Sequence, residues 1–333
     1  MEADAVIPYS RYLIYPIPWY SVLILTGAAL AVFLACRLEK EAHLPADTTV
    51  DLALRVIPIG ILGARCYYVL FSWSAYREDP LSIFRVWEGG LAIYGGILAG
   101  LLTVWVFCRR RRISMLSVCD IIVPGLALAQ AIGRWGNYFN MEAYGWTVTD
   151  PTLCFFPFAV LVPGAGDLYS WHLATFFYES CWDFLVFLVL MRLRRRALPR
   201  PGMLFQCYAA FYAAGRLVIE ELREDSLFSG AIRVSQLLSL VVVLALTVRL
   251  VMLRFNSRGK EPFPRIAAAL LPPLAVLAIW ALGYGLGIHL FRLSAPRLNL
   301  LLLAAFSAFC LSEFLLLFLP LLNDRRNPCP QPE

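Results

Sequence analysis

Long apolar segments alternate with short polar connections along most of the chain. Each segment has roughly the 17 to 25 residues that a helix needs to cross the hydrocarbon core of a bilayer. The segments lie near residues 18–36, 51–73, 91–108, 116–134, 171–191, 203–222, 234–252, 266–290 and 298–322. This pattern predicts an all-α polytopic membrane protein with nine transmembrane helices.

The connections differ in charge, and the difference predicts an orientation. Every second connection is strongly basic: the groups are Arg37 with Lys40, Arg109 to Arg112, Arg192 to Arg196, Arg254 to Lys260, and Arg325 with Arg326. Connections rich in lysine and arginine stay on the cytoplasmic side of a membrane. We therefore expect the N-terminus outside, the C-terminus in the cytoplasm, and the long connection at 135–170 outside.

The last two segments differ from the first seven in their content of polar residues. Residues 266–322 contain few polar groups, which is typical of helices that face lipid. We therefore predict a seven-helix membrane domain at 1–260. A C-terminal two-helix hairpin and a cytoplasmic tail are expected to follow at 261–333.

Composition narrows the class of protein. The chain has 333 residues, 60% of them hydrophobic and only 16% charged, which argues against an ordinary soluble domain. The net charge of +6 comes from short basic connections, so it indicates membrane topology and no nucleic-acid partner. The nine cysteines form no Cys-x-x-Cys pair, which argues against a zinc site and a disulfide framework, and no cluster of metal ligands is visible.

The end of the fourth segment is unusually polar for a membrane helix. Residues 133–145 read Gly-Arg-Trp-Gly-Asn-Tyr-Phe-Asn-Met-Glu-Ala-Tyr-Gly. Arg134 supplies a rigid fork of donors suited to phosphate or carboxylate, whereas Asn137, Asn140 and Glu142 would be costly in lipid. From this chemistry two interpretations stay open: a helix end that faces headgroup water, or a site for an anionic ligand.

A second polar group lies in the sixth segment. Arg216, Glu220 and Arg223 are spaced so that they share one stripe of a helix. A central arginine costs roughly 2.5 to 3.5 kcal/mol on membrane-insertion scales, so such residues should face protein or a wet cavity. We expect Arg134 and Arg216 to form an anion site near the outer face, with a structural Arg216–Glu220 ion pair as the alternative.

Two further arginines, Arg55 and Arg65, lie within the second segment. For these residues a structural ion pair is the favoured interpretation. Arg65 is expected to pair with Asp51.

The third segment begins with a glycine-rich run. Residues 89–100 read Gly-Gly-Leu-Ala-Ile-Tyr-Gly-Gly-Ile-Leu-Ala-Gly. Small residues at this density permit close helix packing or the close approach of a lipid chain. Packing does not explain Tyr94, because its hydroxyl lies between two glycine pairs and needs a partner.

Taken together, these stretches resemble the prolipoprotein diacylglyceryl transferase family. Residues 133–145 agree almost completely with the highly specific family motif Gly-Arg-x-Gly-Asn-(Phe/Tyr)-x-Asn-x-Glu-x-(Tyr/Phe)-Gly. Other agreements follow the same order along the chain, at Trp19–Tyr20, 63–69, 89–100, Phe177–Ser180 and 215–223. The resemblance covers about residues 15 to 255 and includes the seven-helix architecture.

The resemblance implies an enzyme of the bacterial cytoplasmic (inner) membrane. Such an enzyme moves the diacylglyceryl group of phosphatidylglycerol to the lipobox cysteine thiol of a preprolipoprotein. A thioether forms and glycerol phosphate is released, which is the first step of lipoprotein maturation. No cofactor is implied.

The resemblance also implies roles for individual residues. Arg134 and Arg216 would grip the phosphate as charge develops on it. Glu142 and Glu220 would orient the arginines or relay a proton. A role in placing the lipid or the acceptor is implied for Asn137, Gly145, Tyr20 and Arg223.

Tyr94 departs from the pattern, because many family members have histidine at this position. Histidine is the natural general base near neutral pH, whereas a phenol with its ordinary pKa of about 10 is a poor base. Two accounts stay open: Tyr94 acts as a hydrogen-bond donor or perturbed phenolate near the arginines, or Glu142 or water activates the thiol. His172 is a further candidate base, although a lone interfacial histidine commonly has no such role.

Two other functions fit the same residues less well. A lipid or small-anion transporter would use the same arginine-lined cavity, but the sequence has no matched pair of broken helices. A non-catalytic relative that binds phosphatidylglycerol or lipoproteins is suggested by Tyr94. The arginine, asparagine and glutamate positions of the motif are all present, which favours an active enzyme.

Overall fold

The structure is a computed structural model that describes most of the first 258 residues and a few residues beyond them. The described parts are 10–86, 89–163, 169–195, 200–224, 228–229 and 232–258, with Ala304, Ser307, Ala308, Leu311, Phe314, Leu315 and Phe318. Within these parts eight α-helices form: α1 (Trp19–Glu41), α2 (Thr48–Phe71), α3 (Trp73–Tyr76), α4 (Ile93–Arg111), α5 (Met115–Asn140), α6 (Thr175–Arg194), α7 (Met203–Leu222) and α8 (Val234–Arg258).

In the described part of the chain, three small antiparallel sheets accompany the helices, each with two strands. The pairs are β1 (Tyr12–Ile14) with β2 (Ile17–Pro18), β3 (Ala159–Pro163) with β4 (Tyr169–Leu173), and β5 (Phe228–Ser229) with β6 (Ile232–Arg233). The protein is therefore mostly helical, as predicted, but the expectation of an all-α chain missed these strands.

The long helices coincide with the first seven predicted segments. Four of them, α1, α2, α4 and α5, have the length and composition of membrane spans, so the chain is a multi-pass membrane protein. In α6 and α7, acidic and basic side chains interrupt the apolar pattern. The predicted segment at 266–290 lies outside the described residues, and only separate residues of 298–322 are described.

The chain divides into two compact units. One unit is 30–125, and the other comprises 1–29 with 126–333. In the first unit, α2 and α4 pack closely through glycines. A Cβ added to Gly63 would lie 2.8 Å from the Gly95 carbonyl oxygen, and one added to Gly96 would lie 3.4 Å from that of Gly60. Close helix packing therefore accounts for the glycine pair that follows Tyr94.

Arg65 anchors the loop between α2 and α4. Its side chain is buried, and Nε donates to the carbonyl oxygen of Ile83 at 2.7 Å. Its Nη1 donates to Gly89 at 2.7 Å and to Gly90 at 3.0 Å, and Nη2 donates to Ser82 at 2.7 Å. One guanidinium thus satisfies carbonyl oxygens from both ends of the loop.

The expected ion pair between Arg65 and Asp51 is wrong. The two residues lie fourteen positions apart on α2, which is about 21 Å along a helix that rises 1.5 Å per residue. Asp51 instead pairs with Arg111 and lies 3.7 Å from Arg55. The structural interpretation of Arg55 and Arg65 is thus supported, but with other partners.

In the second unit, the first turns of α1 pack against the last turns of α5. Glycines on both helices allow this approach, because a Cβ at any of them would crowd the facing residue. In order along the two helices, the pairs are Gly27 with Ala129, Gly133 with Ile24, Gly136 with Tyr20, and Trp19 stacked on Phe139. This packing holds Tyr20 beside the polar end of α5.

The hairpin of β3 and β4 lies between α5 and α6. Val160 faces His172 across the pair, and Ala174 and Phe176, which follow β4, are fully buried. The predicted fifth helix began at residue 171, whereas α6 begins at Thr175. Trp171 and Leu173 continue the apolar run of the helix, so hydropathy alone merged the strand with it.

The described residues near the C-terminus pack on the back of α7. Ser307 Oγ donates to the carbonyl oxygen of Ala214 at 2.8 Å. Phe314 and Phe318 are buried, and Phe314 lines a small apolar cavity with Ala210 and Ala214. Ser307 and Phe314 are therefore in contact with the helix that carries Arg216.

Replacing Arg65 by lysine should destabilise the protein. Lysine keeps the charge but lacks the planar fork, so several buried carbonyl oxygens lose their donor. We expect the free energy of unfolding to fall by about 1 to 3 kcal/mol and the loop at 82–90 to be cleaved faster in limited proteolysis. Unfolding in mixed detergent micelles measures the first quantity.

The matched control is Arg55→Lys, because the Arg55 side chain is 51% exposed. This variant should unfold like the unaltered protein. Equal stability of Arg65→Lys and Arg55→Lys would contradict the anchoring role.

Candidate active site

The site is built around the buried carboxylate of Glu179, in the second turn of α6. Its side chain is only 5% exposed, and Arg134 Nε of α5 lies 2.7 Å from Oε2. Arg216 Nη1 of α7 pairs with Oε1, and Arg223 Nη1 lies 3.9 Å from the same oxygen. One acid thus gathers three guanidinium groups from two other helical segments.

Arg216 also pairs with Glu220, one turn further along α7. Its Nη2 lies 2.5 Å from Glu220 Oε2, and Glu220 is 2% exposed. The structural ion pair considered from the sequence therefore exists, but it forms in addition to the contact with Glu179. Both terminal nitrogens of Arg216 are held, so its guanidinium has a fixed orientation.

Arg134 uses only part of its guanidinium group to contact Glu179. Among the described residues, Nε makes this contact, and the side chain is 21% exposed. Its two terminal nitrogens are therefore able to donate to a ligand in the forked geometry that suits phosphate. Arg134 and Arg216, the two arginines that the sequence predicts for an anion site, meet at one acid.

A small cleft lies between the two arginines. It is lined by Arg134, Glu179, Trp182, Asp183, Tyr212, Gly215, Arg216 and Ile219. Trp182 packs against Gly215, where a Cβ would collide with the indole, and its Nε1 donates to the Phe211 carbonyl oxygen at 2.9 Å. The cleft thus joins α5, α6 and α7 and places polar groups beside apolar walls.

The polar turn after α5 positions the other residues of the motif. Asn140 Nδ2 donates to Glu142 Oε1 at 2.6 Å, and the Glu142 backbone N–H donates to the Asn137 carbonyl oxygen at 3.0 Å. Tyr20 lies within electrostatic range of Glu142 and Arg134. The N-terminal end of α1 therefore belongs to the same region as the motif.

Gly145 ties the motif to the end of α7. Its N–H donates to the Leu173 carbonyl oxygen at 2.9 Å, and its backbone pairs with that of Arg223. A Cβ at Gly145 would lie 2.5 Å from the Leu222 carbonyl oxygen and 2.8 Å from Thr175 Cγ2. Packing therefore explains why this position is glycine, whether or not substrate also contacts it.

His172 lies in β4 and is buried among polar partners. Nδ1 lies 2.8 Å from the Gly145 carbonyl oxygen and 3.2 Å from Glu224 Oε2, and Nε2 lies 2.9 Å from Ser170 Oγ. A carbonyl oxygen only accepts, so Nδ1 carries the proton and Nε2 accepts from Ser170 in the neutral ring. His172 is thus a well-satisfied residue that supports Gly145.

Tyr94 lies in the other unit, at 30–125. It is the second residue of α4 and is half-buried. The remaining predicted site residues, Tyr20, Arg134, Asn137, Glu142, Gly145, Arg216, Glu220 and Arg223, all belong to the unit that contains Glu179. Within the described residues, no group of three or more histidine, cysteine, aspartate or glutamate side chains is arranged to hold a metal ion.

Sequence reasoning did not select Glu179 or Asp183 as site residues. Both acids lie inside the predicted apolar segment at 171–191, four positions apart and hence on one helix face. A charged side chain in the hydrocarbon core of a bilayer has a high free-energy cost, and this cost marks both acids as candidates for a functional role.

Comparison with known proteins decides the family. A family model described as prolipoprotein diacylglyceryl transferase matches residues 10–252. The chain belongs to the prolipoprotein diacylglyceryl transferase family. Residues 133–145, 177–180 and 215–223, which carry the arginines and Glu179, all lie within the matched region.

Individual relatives agree with the family assignment. Enzymes named phosphatidylglycerol–prolipoprotein diacylglyceryl transferase are similar over most of their length. The relative from Limosilactobacillus reuteri is 43% identical over 73% of this chain and 89% of its own. Those from Streptococcus agalactiae and Streptococcus mutans are 38% and 42% identical over 74% and 72% of this chain, and over 94% and 92% of their own.

A double-mutant cycle on Glu179 and Arg216 should reveal a strong coupling. Glu179→Gln removes the carboxylate that Arg134 and Arg216 share, and loss of one partner of a buried pair typically costs about 3 to 5 kcal/mol. We expect a coupling energy of about 0.5 to 3 kcal/mol between Glu179→Gln and Arg216→Gln. Equilibrium unfolding of the two single variants and the double variant in mixed micelles measures it.

Glu39→Gln is the control for the cycle. Glu39 is equally buried but accepts from the Thr49 N–H in the other unit. Its loss should add to that of Arg216→Gln without coupling. If the Glu179 pair is merely additive as well, the carboxylate does not organise the arginines.

Proposed function

We propose that this chain transfers the diacylglyceryl group of phosphatidylglycerol to the lipobox cysteine of a preprolipoprotein. The names of the relatives support the donor and the acceptor protein. The observation that carries the proposal is the pairing of Arg134 and Arg216 at one buried acid, which gives a membrane protein an oriented site for phosphate.

The reaction is a displacement at an unactivated carbon. The bond between the glyceryl carbon and a phosphate oxygen breaks, a carbon–sulfur bond forms, and the thiol proton passes to a base. Negative charge develops on the departing glycerol phosphate. Arg134 and Arg216 neutralise that charge with donors that are already in place, so little reorganisation is needed during the reaction.

Some of the surrounding residues orient the arginines, and others are proposed to contact the substrates. Glu179 and Glu220 hold the guanidinium group of Arg216 in one orientation. Arg223 adds a third positive group at the edge of the site. Substrate contacts are proposed for Tyr20, Asn137 and Glu142 at the end of α5, and Gly145 shapes the wall behind them.

The base for the thiol is proposed to be Tyr94, with activation by Glu142 or water as the alternative. His172 is a weaker candidate, because Ser170 already occupies its Nε2 and the carbonyl oxygen of Gly145 occupies its Nδ1. Glu142 is bonded to Asn140 but exposed, so it is available for proton relay at the mouth of the site.

The architecture is proposed as the sequence suggests it. The transferase domain is 1–260 with seven membrane helices and the N-terminus outside, and 261–333 forms the C-terminal hairpin and cytoplasmic tail. The family match to residues 10–252 supports this boundary, and the basic connections support the orientation. The enzyme would act in the bacterial cytoplasmic membrane, with its site towards the outer face.

Purified protein should convert a lipobox peptide to its thioether with phosphatidylglycerol as the donor. Mass spectrometry of the peptide measures the product. Arg134→Ala should lower kcat/KM by on the order of 100- to 1000-fold, because the phosphate loses a preorganised donor pair. Arg55→Ala, which alters an exposed arginine of α2, should keep the activity.

Each other outcome of this assay has a clear meaning. Absence of thioether under conditions in which the Streptococcus mutans relative forms it would overturn the proposed function. Lipid flux in proteoliposomes without peptide modification would support a transporter instead. Full activity of Arg134→Ala would overturn the site.

Substitutions of Tyr94 and His172, two of the candidate bases, should separate their roles. Tyr94→Phe should lower kcat by about 100-fold or more, because removal of a proton-transfer group typically costs that much. His172→Ala should lower the melting temperature and leave kcat of the folded protein within a few-fold. The pH–rate profile of Tyr94→His should gain a limb near the ordinary histidine pKa of about 6.5.

A non-catalytic protein would give a different result in the same series. It would form no thioether, and Tyr94→His would create activity rather than alter it. A loss of kcat in His172→Ala as large as that in Tyr94→Phe would move the base to His172.

A further inference from the structure

Asp183 is a buried acid with an unsatisfied oxygen beside the two arginines. It lies one turn beyond Glu179 on α6 and is 4% exposed. Its Oδ2 has no hydrogen-bond partner among the described residues. Buried carboxylate oxygens are almost always hydrogen-bonded, because an unsatisfied one keeps its full desolvation cost. A polar group of a ligand that enters the cleft is therefore in a position to supply the missing partner.

The position of Asp183 limits what this ligand is. The residue lines the same cleft as Arg134 and Arg216, so a phosphate held by the arginines would lie close to it. In its ionised form the Asp183 carboxylate only accepts hydrogen bonds, so a ligand of that form must carry a donor next to its phosphate. The cleft has space for about one water-sized group, and this matches a single hydroxyl.

We propose that Asp183 accepts a hydrogen bond from a hydroxyl of the phosphatidylglycerol headgroup and thereby selects this lipid as the donor. The inference rests on the proposed function and deepens it. The headgroup glycerol carries two hydroxyls within a few bonds of the phosphate, so one molecule satisfies the arginines and Asp183 together. Glu179 Oε2 also has no hydrogen bond of good geometry among the described residues, but Arg134 Nε lies 2.7 Å from it, so its charge is already paired.

The same arrangement disfavours other common headgroups. An alkyl phosphate ester has no hydroxyl and leaves Asp183 unsatisfied. An ethanolamine ammonium would be attracted to Asp183, but it would also lie beside the guanidinium groups of Arg134 and Arg216, which repel it. Selectivity among lipid headgroups thus comes from an acid that lies beside two arginines. A neutral hydroxyl donates to the acid without repulsion from the arginines, whereas a cationic donor is repelled by them.

A comparison of two donor lipids tests the proposal. Dioleoyl phosphatidylglycerol and dioleoyl phosphatidylpropanol share the phosphate and acyl chains, but only the first has headgroup hydroxyls. With a lipobox peptide as acceptor, the unaltered protein should prefer phosphatidylglycerol by about tenfold or more in kcat/KM, as expected for a hydrogen bond to a charged acceptor. Asp183→Asn should reduce this ratio, and Asp183→Leu should bring it close to one.

Two controls separate selectivity from folding. Glu39→Gln changes a buried carboxylate in the other unit and should keep the donor ratio of the unaltered protein. Melting temperatures in detergent check that each Asp183 variant is folded. Asp183→Asn has nearly the shape of aspartate and serves if Asp183→Leu does not fold.

The outcomes distinguish this inference from the proposed function. An active protein whose donor ratio is the same in Asp183→Asn, Asp183→Leu and the unaltered chain would overturn the inference alone, even if both rates fell together. A protein that forms no thioether from phosphatidylglycerol would overturn both. A ratio that falls in the order aspartate, asparagine, leucine supports the assigned contact.

Discussion

Mutual repulsion of buried arginines is the constraint that shapes this site. Two unit charges 4 Å apart interact with about 4 kcal/mol at an effective dielectric constant of 20, so guanidinium groups gathered in a membrane protein need an acid between them. Glu179 supplies it, with Arg134 and Arg216 on either side. Because those residues belong to three different helices, the ion cluster also sets the register of α5, α6 and α7. Apolar side chains alone specify register weakly in lipid, where helices gain little from hiding them.

The ion cluster places charged residues in helices that would otherwise be apolar, and the sequence shows this. The described helices α6 and α7 are as long as membrane spans but carry Glu179, Asp183, Arg216 and Glu220. By contrast, α1, α2, α4 and α5 keep the composition of ordinary spans, although Arg134 lies in the last turns of α5. The two polar helices pack against each other and α7 packs against α8. The charges therefore face protein and one another, as insertion energetics requires.

Much of the fold could be predicted from the sequence, and the exceptions have physical causes. The segments and the two key arginines followed from hydropathy and from the cost of charge in lipid. The hairpin of β3 and β4 was missed because Trp171 and Leu173 extend an apolar run into a strand. The partners of Arg65 are backbone carbonyl oxygens, which no residue type reveals. The role of Glu179 depends on which helices are neighbours, and hydropathy does not determine that arrangement.

Gly145 changes how loss of function in this region should be understood. The backbone at this position meets β4, the end of α7 and the imidazole of His172 at once, so a larger side chain would push apart the segments that hold Arg223 against Glu179. An inactive substitution there would report a displaced scaffold, even if the mutant protein were abundant in the membrane. Mutational maps of this motif therefore mix two kinds of essential position. A substitution of Arg134 would remove a charged contact with Glu179, whereas one at Gly145 would fill space that the neighbouring segments need.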